Sequence, residues 1–130
     1  MQEAIVFACL MTVVMWLPYL SAAAIVRGPL SVLGGDPKAD TKPMPAWATR
    51  LQQAHANATE NLAAFVGVCV AANMSGSVTF TVTAVAFIYS FARIAHYLCY
   101  GMGIPLLRTV SFMVSWAATI FIGLRAVGLV

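Results

Sequence analysis

Residues 4–26 read AIVFACLMTVVMWLPYLSAAAIV, a run of 23 positions without one charged side chain. A helix crossing the hydrocarbon core of a bilayer needs about 20 apolar residues, so this stretch is long enough to span. Pro18 sits inside it, lacks an N–H and is expected to kink the helix at that point. Ala22-Ala23-Ala24 resembles a signal-peptide cleavage site, but the chain opens Met1-Gln2-Glu3 rather than with the basic residues such peptides carry.

The rest of the chain extends the membrane reading. Of 130 residues, 62% are hydrophobic and 8% charged. A soluble domain is about 25% charged, and seven Lys and Arg with four Asp and Glu cannot coat a water-exposed surface of this size. The composition therefore argues against a soluble globular domain or a disordered chain. The net charge of +3 comes without any basic run, which argues against a nucleic-acid partner. The apolar runs are continuous rather than alternating, which favours helices over a barrel.

Residues 27–46 read as a loop, broken by Gly28-Pro29, Gly34-Gly35-Asp36-Pro37 and Pro43-Met44-Pro45 and wetted by Lys38, Lys42, Asp36 and Asp40. A long second helix follows over about 47–73, polar to Glu60 and apolar from Leu62 to Ala72. Asn73-Met74-Ser75-Gly76-Ser77 is an uncharged turn, and the third and fourth helices are expected over about 77–100 and 105–129. The expectation is a single domain of residues 1–130: an all-α integral membrane bundle of four spanning helices. Arg27, Lys38, Lys42, Arg50, Arg93 and Arg108, six of the seven basic residues, fall on one side, leaving Arg125 on the other. By the positive-inside rule the 27–46 loop is cytoplasmic and both termini are not.

Ionisable residues inside membrane helices are costly and tend to mark function or a buried partner. At about 100° per residue, Arg50, Gln53, Asn57 and Glu60 share an arc of about 80° on the second helix. His55 points the other way. On the third helix Tyr89, Arg93, His96, Tyr97 and Tyr100 share an arc of about 100°. One outcome is mutual satisfaction, with Glu60 paired to Arg93 across the bundle. The other is a site for an anionic, peptide-like ligand, since Arg27, Arg50, Arg93 and Arg108 gather at one depth and guanidinium forks suit carboxylates. Arg27 and Arg108 could equally snorkel from helix ends. Cys9, Cys69 and Cys99 fit no disulfide framework and no zinc spacing, and no metal site is expected.

Arg50-Leu-Gln-Gln-Ala-His-Ala-Asn-Ala-Thr-Glu-Asn61, which contains A-H-x-N-x-x-E-N, resembles the membrane-associated proteins in eicosanoid and glutathione metabolism, the MAPEG family, and its bacterial-type members. Phe91-Ala92-Arg93-x-x-His96-Tyr97-x-x-Tyr100 is similar to that family's third-helix motif. The resemblance implies a homotrimer with glutathione bound at subunit boundaries on the cytoplasmic side, and a hydrophobic co-substrate entering from lipid. It implies ligand contacts at Arg27, His55, Asn57, Glu60, His96 and Tyr100, and a thiolate-stabilising role for Arg108. With the stripe residues Arg50, Gln53, Arg93 and Tyr97, these make up the candidate site. Family transferases usually carry arginine where this chain has Gln53 and often tyrosine where it has His96. Arg108 aligns only with a third loop one residue longer. The resemblance thus implies a glutathione-dependent transferase or peroxidase, with a non-catalytic membrane scaffold or small-ligand-binding subunit as the alternative.

Overall fold

The computed structural model describes residues 1–34 and 42–130. Gly35, Asp36, Pro37, Lys38 and Asp40 of the expected loop lie outside the described residues. All regular structure among the described residues is helical: α1 (Gln2–Val14), α2 (Leu17–Arg27), α3 (Pro29–Val32), α4 (Ala46–Met74), α5 (Phe80–Met102) and α6 (Pro105–Ala126).

The first apolar run breaks at Met15–Trp16 rather than at Pro18. Pro18 has no N–H to offer the carbonyl four residues back, and its ring crowds that carbonyl, so the interruption falls one turn upstream and Pro18 settles in the first turn of α2. A second departure is α3, a single helical turn inside the expected loop, started by Pro29 behind a left-handed Gly28.

Among the described residues three helical stretches are long and apolar enough to cross a membrane: Gln2–Arg27, Phe80–Met102 and Pro105–Ala126. The expected fourth, α4, does not meet that standard. Its 29 residues are long enough, but polar side chains fill the half that ends at Glu60.

Helix α5 is central and packs against α1, α4 and α6. One core layer joins Ala4, Ala8, Ala72, Ala86 and Ala118 with Phe65, Cys69, Val82, Tyr89 and Ile122. Apolar lipid gives helices little hydrophobic reason to associate, so small residues that let backbones approach and dispersion contacts carry the packing. The Phe65 and Tyr89 rings stack with centroids 3.7 Å apart. A second layer joins Met11, Met15, Leu51, Ala54, Ala58 and Tyr97. The exterior carries Leu10, Val13, Ile25, Phe80, Phe91 and Leu106 exposed, the reverse of a water-facing surface.

Buried and lipid-facing hydroxyls find acceptors on their own helices. Thr12 donates to Ala8 O, Thr109 to Pro105 O and Thr119 to Ser115 O, as a medium without water requires. The break at Met15 is handled across helices: Tyr97 Oη donates to Met15 O at 2.7 Å. At its start α5 is capped by Thr79, whose hydroxyl accepts from Val82 N. At its end Gly103 N bonds Tyr100 O and Ile104 N bonds Cys99 O, a Schellman closure with Gly103 at φ +75°. Pro105 then starts α6, so only Gly103 and Ile104 separate the two helices.

Candidate functional site

Helices α4 and α5 run antiparallel, and the polar stripes predicted on each face one another. Arg50 Nε donates to Gly101 O at 2.9 Å. Tyr100 Oη donates to Gln53 Oε1 at 3.2 Å. Arg93 Nη2 donates to Asn57 Oδ1 at 2.8 Å. The register is close because Gly101 lies directly under Leu51, where any Cβ would collide with the leucine side chain.

This register corrects the expected Glu60–Arg93 ion pair. It sets Asn57, not Glu60, level with Arg93, and the Glu60 carboxylate stays exposed. Among the described residues the only ion pair joins the N-terminal ammonium to Glu3. Arg93 is 1% exposed. Its Nε and Nη1, like His96 Nε2, have no hydrogen-bond partner among the described residues. The Arg93 guanidinium lies 5.8 Å from the Phe112 ring, a cation–π distance.

Helix α6 brings in the last cation. Arg108 lies with its guanidinium carbon 4.7 Å above the Tyr100 ring. His96 Nδ1 donates to Arg108 O at 2.9 Å, which ties α5 to the first turn of α6, and the imidazole meets the Tyr100 ring edge-on. Arg50, Tyr100, Gly103, Ile104, Pro105 and Arg108 enclose a cavity of about 300 Å³ with no carboxylate on its walls. Beside it, Ile88, Phe91, Cys99, Leu107, Val110 and Val114 line an apolar groove of about 490 Å³ between α5 and α6.

Arg50, Gln53, Tyr100 and Arg108 therefore come together, with His96 bracing them and Asn57 and Arg93 one step deeper. Three candidates go elsewhere. His55 faces α2 and shares a 2.8 Å hydrogen bond with Tyr19. Tyr97 is buried with its hydroxyl engaged by Met15 O. Arg27 donates to Lys42 O. Sequence reasoning missed the walls supplied by Gly103, Ile104 and Pro105. The visible signal was the glycine–proline break immediately before Arg108.

Arg108 over the Tyr100 phenol and Arg50 on the same cavity wall, next to an apolar groove, suit a ligand that joins an anionic group to an apolar partner. Against known proteins, the model of the MAPEG family matches residues 4–128. The chain belongs to the MAPEG family. No curated protein and no solved structure gives a significant match. Membership spans nearly the whole chain and, with three apolar helices, marks this MAPEG protein as a multi-pass membrane protein. The family includes glutathione transferases and peroxidases.

Proposed function

We propose that this MAPEG protein is a membrane-bound, glutathione-dependent transferase or peroxidase acting on hydrophobic electrophiles. The observation that supports it is the pairing of the Arg108–Tyr100–Arg50 cavity with the apolar α5–α6 groove. A guanidinium beside a thiol favours the thiolate and raises the nucleophile population at neutral pH. In this reading Arg108 holds the glutathione sulfur. The thiolate attacks an electrophilic carbon presented from the groove, a C–S bond forms, and the leaving group departs with the bonding electrons. With a hydroperoxide, the thiolate attacks the O–O bond. The alkoxide leaves and takes a proton from water to become the alcohol, and a second glutathione reduces the resulting sulfenic acid to give the disulfide and water. The apolar co-substrate arrives from the bilayer, and the cavity faces the cytoplasm.

The same reading takes the assembly to be a homotrimer of four-span protomers with both termini on the non-cytoplasmic side. The exposed Glu60, costly against lipid, favours a covering neighbour or ligand. Asn57 and Glu60 would then meet the amide and ammonium groups of the tripeptide.

Calorimetric titration of glutathione into the detergent-purified protein tests the proposal, with thiolate absorbance followed in parallel. Binding with a thiolate signal that Arg108→Ala abolishes is expected. Normal turnover of a generic electrophile by a well-folded Arg108→Ala variant would refute it. A second reading, a non-catalytic scaffold or ligand carrier of the same fold, is favoured by one observation. Tyr100 spends its hydroxyl proton on Gln53, which leaves one donor fewer for a sulfur. Binding without a thiolate signal would select it.

A further inference from the structure

We propose that His96 is a positioning residue for thiolate formation: it fixes both ends of Arg108, the backbone directly and the guanidinium through Tyr100. The inference rests on the glutathione reading and adds to it a residue that acts through Arg108 rather than on the ligand.

The Arg108 guanidinium has no hydrogen bond among the described residues and rests on the Tyr100 ring. An arginine side chain carries many rotamers, so the place of its charge depends on where the Arg108 backbone stands and where that ring stands. The start of α6 does little to fix the backbone. Ile104 gives the helix no side-chain cap, and Pro105 opens it without an N–H. Ser111 Oγ donates to Arg108 O at 3.0 Å, but from within α6, so it does not tie that helix to a neighbour. His96 Nδ1 donates to the same carbonyl at 2.9 Å and comes from α5. Among the described residues no other side-chain hydrogen bond joins α6 to another helix.

The same imidazole sets the ring. It meets Tyr100, one turn further along α5, nearly edge-on, with 76° between the planes and 5.6 Å between the centroids. Edge-to-face contact of this kind favours one mutual orientation. His96 itself is 5% exposed and does not line the cavity. Donation to Arg108 O puts the hydrogen on Nδ1, so the neutral ring carries its lone pair on Nε2, which has no partner among the described residues. The one hydrogen bond of the ring is therefore spent on placing Arg108. A cation favours a thiolate only while it stands beside the sulfur, and a misplacement of about 1 Å can cost about a hundredfold in rate.

Full-length protein in detergent is compared with His96→Phe, which keeps a ring against Tyr100 and lacks the Nδ1 donor, and with His96→Asn, whose amide can place an N–H where Nδ1 stands. Thermal unfolding checks that each variant folds, and His96→Gln, with its amide one bond further out, replaces His96→Phe should that variant fail. Glutathione affinity is read by calorimetry, the thiolate of bound glutathione by absorbance across pH, and turnover with a generic electrophile. In His96→Phe the thiolate curve should move to higher pH, lowering thiolate about tenfold on the acidic limb, and kcat should fall about ten- to a hundredfold. Affinity should change by less than about twofold, the scale of a neutral substitution. His96→Asn should recover much of the thiolate and of the rate. Added to Arg108→Ala, His96→Phe should cost little more, since both act on the same charge. An unmoved thiolate curve in folded, glutathione-bound His96→Phe overturns this inference and leaves the functional reading standing. Lost affinity with an unmoved curve also overturns it and makes His96 a ligand contact. Absence of thiolate in folded wild-type protein, or its persistence in Arg108→Ala, overturns the functional reading as well.

Discussion

Tyr97→Phe separates a structural tyrosine from a ligand-binding one. The substitution keeps the ring in the layer formed by Met11, Met15, Leu51, Ala54 and Ala58 and removes only the hydroxyl. That hydroxyl is the sole donor to Met15 O among the described residues, at the break between α1 and α2. Losing a neutral hydrogen bond costs about 1 kcal/mol net, and leaving a buried carbonyl unsatisfied raises the figure to about 1–3 kcal/mol. Unfolding by sodium dodecyl sulfate in mixed micelles should therefore show Tyr97→Phe destabilised by about 2 kcal/mol. Glutathione affinity, read by calorimetry on the folded variant, should stay within about twofold, because Tyr97 does not line the Arg108 cavity. A stability change under about 0.5 kcal/mol, the scale of neutral surface substitutions, would refute the argument that the break depends on α5 for its hydrogen bond. A loss of ligand affinity with unchanged stability would return Tyr97 to the site.

Asn57→Ala removes the one hydrogen bond that the Arg93 side chain makes among the described residues and should destabilise the protein by about 1.5–3 kcal/mol in the same unfolding assay. Gly103→Val places a β-branched residue at φ +75° and a side chain against Arg50. It should cost at least about 1–2 kcal/mol and weaken glutathione binding, measured by unfolding and calorimetry. Thr79→Ala deletes the cap of α5 and should cost about 1 kcal/mol in the unfolding assay while leaving binding unchanged, since Thr79 lies at the opposite end of α5 from Arg108.

Three of the four expected spans were legible because a bilayer admits few charges, and the run from Ala4 to Val26 announces itself, whereas the polar first half of α4 hides whether that helix spans. The stripes were legible too, since helical periodicity alone places Arg50, Gln53 and Asn57 on one face and turns His55 away, toward what proves to be Tyr19. Axial register was not legible. A helical wheel gives angle but not height against a neighbour, so it could not choose between Asn57 and Glu60 as the partner of Arg93. That choice depends on how closely Leu51 can settle on Gly101. The displacement of the break from Pro18 to Met15–Trp16 was predictable in principle, because the carbonyl a proline orphans lies one turn before it.

The two-residue connection between α5 and α6 also decides how the cavity can move. Gly103 and Ile104 leave those helices no slack, and His96 pins them together through Arg108 O. They form one stiff jaw. The opposite jaw is the Trp47–Asn57 end of α4, fastened to α5 by the Arg50, Tyr100 and Arg93 hydrogen bonds. Further along the same pair of helices, the stacked Phe65 and Tyr89 rings form a pivot. Widening the cavity therefore means breaking those three hydrogen bonds, while the stacked rings still hold α4 to α5 further along. A ligand held by both Arg50 and Arg108 would tie α4 to α6 across the cavity, and its release would then require those two helices to part.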